Sequence, residues 1–218
     1  MTKGYKNKLG IIGKKLGMTQ YFDKEGDAIP VTVIEIVENI ICDIKTHEKN
    51  GYTALQLGSN IKKEKHLTKP LLGNLKKKKL PNLSYLKEFR IKPDELKDFK
   101  IGDAIDTTKI LTPNERVDIA GISIGKGFQG MVKLHHKSRG FRSHGSKSIR
   151  APGSIGGHTF PGRVFPGKRM PSMMGNEMVT VKNLKVVEFN KEKNIVFIKG
   201  AVPGTEGSLL TIRPASKL

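Results

Sequence analysis

The sequence predicts a mainly β protein: a small β-barrel with a short α-containing insertion and a long, irregular, basic extension. Three observations carry that expectation. Short β-branched runs punctuated by turn residues recur toward both ends of the chain, a Lys- and Leu-rich stretch interrupts them at residues 61–99, and the 58 positions from 119 to 176 contain no acidic residue. Several short strands at this spacing argue for a small β-barrel or sandwich.

The elements follow in order. Residues 20–22 and 31–36 flank the turn-rich Asp23-Lys24-Glu25-Gly26-Asp27, and residues 40–44 and 52–57 flank Glu48-Lys49-Asn50-Gly51. Both pairs read as hairpins, because apolar and β-branched runs are joined by residues that favour tight turns. Cys42 is the single cysteine and sits among Ile40, Ile41 and Ile44, so it serves as a small apolar core residue and has no internal disulfide partner. In the 61–99 insertion, Lys92-Pro93-Asp94-Glu95-Leu96 suits the first turn of a short helix, since proline and acids are favoured there. Lys76-Lys77-Lys78-Lys79 is either a solvated face, the usual fate of a charge run, or a localisation signal or RNA contact. Strand patterns return at 179–181, 184–189, 195–198 and 208–212, separated by Asn190-Lys191-Glu192-Lys193-Asn194 and Val202-Pro203-Gly204. The expected division is therefore 1–60 for the first part of the barrel, 61–99 for the insertion, 100–124 for more barrel, 125–176 for the extension, and 177–218 for barrel completion and the C-terminus.

Charge sets the functional class. Forty Lys and Arg against twenty Asp and Glu give a formal charge of +20, which calls for a polyanionic partner, either nucleic acid or a membrane surface. Membrane insertion is disfavoured, because no apolar run approaches the roughly 20 residues needed to cross a bilayer. No apolar signal core follows the lysines of Met1-Thr2-Lys3-Gly4-Tyr5-Lys6, so export is not expected. Half of the net charge falls in the acid-free window, which holds Lys126, Lys133, Lys137, Arg139, Arg142, Lys147, Arg150, Arg163, Lys168 and Arg169, with twelve of the 24 glycines and four of the six histidines. Such a segment lacks the apolar area to offset about 1–2 kcal/mol of backbone entropy per ordered residue, so it is expected to stay mobile or gain order from a partner.

Enzyme readings fail on context. Gly125-Lys126-Gly127-Phe128-Gln129-Gly130 matches a dinucleotide or kinase glycine string, but the acid needed about 20 residues on is missing, the next one being Glu177, and no H-R-D or D-F-G element occurs. His135, His136, His144 and His158 suggest a metal, yet they stand among ten cations with no carboxylate or cysteine to complete a site. They also lack an acid to orient them and a serine elbow for hydrolysis. No catalytic residue, metal, cofactor or small-molecule substrate is therefore expected. Glycine lets backbone approach phosphate closely while Lys and Arg neutralise it, so RNA packing explains the window better. Phe128, Phe141, Phe160 and Phe165 either stack on unpaired bases or plug apolar gaps.

The motifs resemble a known family. Leu9-Gly10-Ile11-Ile12-Gly13-Lys14-Lys15-Leu16-Gly17-Met18-Thr19-Gln20 and Pro30-Val31-Thr32-Val33-Ile34-Glu35 are similar to the opening of bacterial-type large-subunit ribosomal protein number three. The glycine string, Ser143-His144-Gly145-Ser146, Pro161-Gly162-Arg163-Val164-Phe165-Pro166-Gly167-Lys168-Arg169-Met170, Met174-Gly175-Asn176 and Lys199-Gly200-Ala201-Val202-Pro203-Gly204 continue the likeness in order through nearly the whole chain. The resemblance implies a β-barrel on large-subunit RNA with its extension threaded toward the peptidyl transferase region, an early role in subunit assembly, and neighbours numbered fourteen and nineteen. It also implies a ribosome of a bacterium or of a plastid or other organelle of bacterial descent. Some bacterial members carry a methylated glutamine in the loop that reads Ser154-Ile155-Gly156-Gly157-His158-Thr159-Phe160 in this chain, where no glutamine stands, so that modification is not expected. The expected RNA contacts are Lys14, Lys15, Lys126, Lys133, His135, His136, Lys137, Arg139, Arg142, His144, Lys147, Arg150, His158, Arg163, Lys168 and Arg169. A free-standing nucleic-acid chaperone or compacting protein is the competing reading; it shares the charge but needs no folded barrel.

Overall fold

A computed structural model describes residues 9–93, 96, 99–107, 111 and 114–215. The chain is mainly β and forms two compact units, Met1–Ile122 with Met178–Leu218, and Ser123–Glu177. In chain order the first unit begins with β1 (Ile11–Phe22), β2 (Ala28–Ile36), β3 (Ile40–Lys45), helix α1 (His47–Asn50) and β4 (Ala54–Ile61). A 3-10 turn (Glu64–His66), α2 (Lys69–Lys77), β5 (Leu83–Arg90) and β6 (Arg116–Ile122) follow. The second unit contains β7 (Phe128–Gln129), α3 (Met131–Leu134) and β8 (Ser172–Met173), after which β9 (Met178–Asn190), β10 (Ile195–Lys199) and β11 (Leu209–Pro214) complete the first.

Six strands hydrogen-bond in the order β1-β11-β6-β9-β10-β2, and β2 returns to β1, closing the barrel with every pairing antiparallel. Closure leaves no open edge, and the inward residues Ile11, Ile34, Ile119, Val186, Val196, Ile198, Leu210 and Ile212 form one buried cluster. Strand alternation divides neighbours between two cores. Ile11 points into the barrel while Ile12 packs with Ile41, Leu55, Leu57, Phe89 and Ile91 against the separate sheet β3-β4-β5. Where β2 stops at Ile36, the buried Asn39 side chain takes over its role: Oδ1 accepts from the Ile12 N–H at 2.8 Å and Nδ2 donates to the Ile12 carbonyl at 3.1 Å.

The predicted boundaries change at this second sheet. The 40–57 hairpin, expected in the barrel, pairs instead with β5, a strand inside the stretch read as α-containing. Residues 103–105, expected as barrel continuation, also belong with it, through Ile41 N–H to the Asp103 carbonyl and Ile105 N–H to the Asn39 carbonyl. Alternation in β5 is weak because most of its side chains are half-buried, so only its partners reveal it. The helix expected at 92–96 falls partly outside the described residues. α2 does form, and its Leu75 joins Ile40, Cys42, Leu80 and Leu83 on the outer face of the sheet. Cys42 is buried there, and burial pushes its thiol up from 9.0 to about 11. No described helix is long and apolar enough to cross a membrane.

Candidate nucleic-acid interface

The second unit is held at its base mainly by backbone hydrogen bonds, to which the Ser123 hydroxyl adds one by accepting from the Glu177 N–H at 3.4 Å. Its two legs run antiparallel, with Ser123 N–H to the Glu177 carbonyl at 2.9 Å, Lys126 N–H to the Met174 carbonyl at 2.8 Å, Met174 N–H to the Gly127 carbonyl at 3.0 Å, and the short β7-β8 ladder. Gly175 is required in this ladder: its φ is +76°, and a Cβ would stand 2.1 Å from the Ile124 carbonyl oxygen. The glycine string thus builds the base of the extension. It follows an antiparallel barrel strand and precedes a four-residue helix, so it lacks the βαβ context of a dinucleotide site.

Further out, side chains and turns brace the legs. Met131, at 3% exposure, is the buried residue of this unit, and the His135 ring Nε2 lies 2.9 Å from the Met170 carbonyl, crossing from one leg to the other. Gly140 donates its N–H to the Ile149 carbonyl at 2.9 Å, with the Ser148 oxygen 2.7 Å from where a Cβ would lie. Residues 153–164 curl around an open concavity of about 490 Å³, in which the His158 ring nitrogen Nδ1 meets the Thr159 hydroxyl at 2.9 Å. Arg163 stacks its guanidinium 5.7 Å from the Phe165 ring centre.

This arrangement gathers nearly all of the predicted cations. Lys126, Lys133, Lys137, Arg139, Arg142, Lys147, Arg150, Arg163, Lys168 and Arg169 are exposed, as are His136, His144 and His158, and none of the ten Lys and Arg carries an ion pair among the described residues. Phe141 and Phe160 are 82% and 91% exposed, and Phe128 and Phe165 also face solvent, so none of the four plugs a gap in the free chain. Chemically this is an array of cations, backbone turns and exposed aromatic rings suited to phosphates and unpaired bases. Among the described residues, no group of three or more His, Cys, Asp or Glu could hold a metal.

The two lysines of the first unit separate. Lys14 is exposed, whereas Lys15 is 8% exposed and donates from Nζ to the carbonyls of Val202 at 3.2 Å and Gly204 at 2.9 Å. A β-bulge between Lys15 and Gly17 accompanies that inward turn. Lys15 is therefore corrected from surface contact to an internal tie for the 202–204 turn. Sequence reasoning missed Met131 and Gly175 as bracing residues; the Gly175-Asn176 pair, both at positive φ, was the available signal.

Residues 91–195 match the family described as ribosomal protein L3. The large ribosomal subunit protein uL3c of Phaeodactylum tricornutum is 47% identical over 208 residues, covering 95% of this chain and 99% of that protein. The uL3c of Porphyra purpurea is 48% identical, covering 94% and 98%, and the uL3 of Picosynechococcus sp. is 49% identical, covering 95% and 97%.

Proposed function

The chain belongs to the ribosomal protein L3 family, a family of structural constituents of the large ribosomal subunit rather than enzymes, and from that premise we propose that it binds large-subunit rRNA directly through residues 123–177. One observation supports this reading above the rest: ten exposed cations without an ion pair among the described residues, on a unit with a single buried residue. Unneutralised positive charge repels itself and destabilises a compact state, and a phosphate backbone relieves that repulsion. Lys14, Lys126, Lys133, Lys137, Arg139, Arg142, Lys147, Arg150, Arg163, Lys168 and Arg169 supply the charge, His136, His144 and His158 supply adaptable donors, and His135 braces the legs.

By family resemblance, the protein helps nucleate large-subunit assembly, and its extension supports the peptidyl transferase region beside proteins numbered fourteen and nineteen. Its place is a ribosome of a bacterium or of a plastid, the two settings of its relatives. The barrel acts as the folded seat from which the extension enters the RNA. The test is a titration of the full chain with large-subunit rRNA across salt concentrations. Log affinity should fall with log salt at a slope of up to about 0.9 per phosphate met, and a flat dependence would sink the proposal.

A further inference from the structure

We infer that the insertion carries a second RNA-facing surface, a lysine face on the 62–69 segment and the last turn of α2 that meets RNA phosphates independently of the extension. The inference rests on the RNA-binding reading above and adds a site to it. Residues 61–79 contain eight lysines, one histidine and a single acid, Glu64. That acid is already engaged, since Lys76 Nζ lies 2.8 Å from Glu64 Oε1. The same ion pair brings the Glu64–His66 turn against the last turn of α2, so the lysines of both are gathered together.

The run at 76–79 then sorts by direction. Lys78 turns inward, with Nζ 3.1 Å from Asp43 Oδ1 and donating to the Cys42 carbonyl at 3.1 Å. Leu75 and Leu71 commit one side of α2 to the apolar cluster with Ile40, Cys42, Leu80 and Leu83, which leaves Lys69 and Lys77 outside. Lys79 is exposed at a left-handed φ of +56°. Lys62, Lys63, Lys65, Lys69, Lys77 and Lys79 are thus exposed, and none has an ion pair among the described residues.

Ordinary solvated faces interleave both signs of charge, whereas this one sets a single acid, already paired with Lys76, among eight lysines. A protein partner fits poorly, because protein interfaces are depleted of lysine and enriched in Tyr, Trp and Phe, and residues 61–79 contain none of those three. Lysines on flexible stems act as point charges, which position a backbone without reading bases. The face therefore suits phosphates of a folded RNA and carries no sequence preference of its own.

The test compares the full chain with two six-fold variants in which Lys62, Lys63, Lys65, Lys69, Lys77 and Lys79 all become Gln or all become Arg. Each is titrated against large-subunit rRNA and a control RNA of equal length over a series of salt concentrations. All three proteins should melt at closely similar temperatures, because the altered side chains are exposed. The Gln variant should lose about 2–5 from the salt slope, the equivalent of three to six phosphates, while the Arg variant keeps it. An unchanged slope in the Gln variant overturns the inference. So does a variant that keeps the slope but loses a protein neighbour in assembled subunits, which would make this a protein-docking face. Failure of the unaltered chain to prefer large-subunit rRNA over the control sinks the preceding proposal instead, and the two failures are read from different proteins.

Discussion

The barrel with its attached sheet and the Ser123–Glu177 unit use opposite means of holding shape. The first buries three apolar clusters, and Ile11 and Ile12 on one strand serve two of them. The second buries Met131 alone and relies on backbone ladders, positive-φ glycines and a His135 brace. Burying apolar area stabilises a fold in any solvent-exposed setting, whereas an array of like charges becomes favourable only when a polyanion neutralises it. One chain therefore joins a region held by apolar burial to a region whose like charges a polyanion would relieve.

The largest effect should come from removing the second region. Replacing residues 133–171 by a short Gly/Ser linker deletes nine Lys and Arg and should lower the rRNA salt slope by up to about 6–8. The remaining frame should still unfold in a single cooperative transition, because its clusters are untouched and loop-closure cost varies slowly with length. Loss of cooperativity in a urea melt would erase the contrast. Assembly of large subunits in cells carrying this variant should fail.

Truncating side chains draws the same contrast residue by residue. Ile34→Ala empties a fully buried position in the barrel and should cost about 2–5 kcal/mol by denaturant unfolding. Phe160→Ala, at a ring standing almost wholly in solvent, should change stability by under about 0.5 kcal/mol while weakening RNA binding. Equal costs at the two sites would mean that the extension has a packed core.

Lys14 and Lys15 sharpen the comparison within two adjacent positions. Lys15→Met leaves the Val202 and Gly204 carbonyls without their ammonium donor and should destabilise by about 1.5–3 kcal/mol in thermal or urea unfolding. Lys14→Met should leave stability unchanged and reduce the salt slope by up to about 0.9. Reversed outcomes would put Lys15 back among the RNA contacts.

At neutral pH the smallest effect belongs to Cys42, because the thiol is protonated in both the folded and unfolded chain. Burial raises its folded value from 9.0 to about 11, so the folded state binds the proton more tightly. Its contribution is complete below about pH 9 and is lost as pH rises toward 11. Unfolding free energies of the parent and of Cys42→Ala should therefore converge over that window. Parallel curves would mean that the thiol is open to water.

Much of the architecture was legible because it depends on short-range patterns. The β1-β2 hairpin announced itself through the turn at 23–27, Cys42 through its isoleucine neighbours, and the extension through the absence of acids from 119 to 176. The 40–57 hairpin was seen, but its sheet was not, since pairing with β5 depends on a strand whose half-buried side chains leave little alternation. The aromatic alternatives in the extension could not be separated either, because exposure is a property of what surrounds a ring.

Composition and order in the chain by themselves determined the mainly β class, the segregation of positive charge and the family likeness, for these are sums and patterns over neighbouring residues. Only the tertiary structure decided which charges are available. Lys14 and Lys15 are identical and adjacent, yet strand alternation and a bulge send one to solvent and the other to the carbonyls of a turn 187 and 189 residues away. Lys76, Lys77, Lys78 and Lys79 divide in the same way between Glu64, solvent and Asp43. A side chain's charge is written in its identity, but its partner is chosen by the direction in which the folded backbone points it.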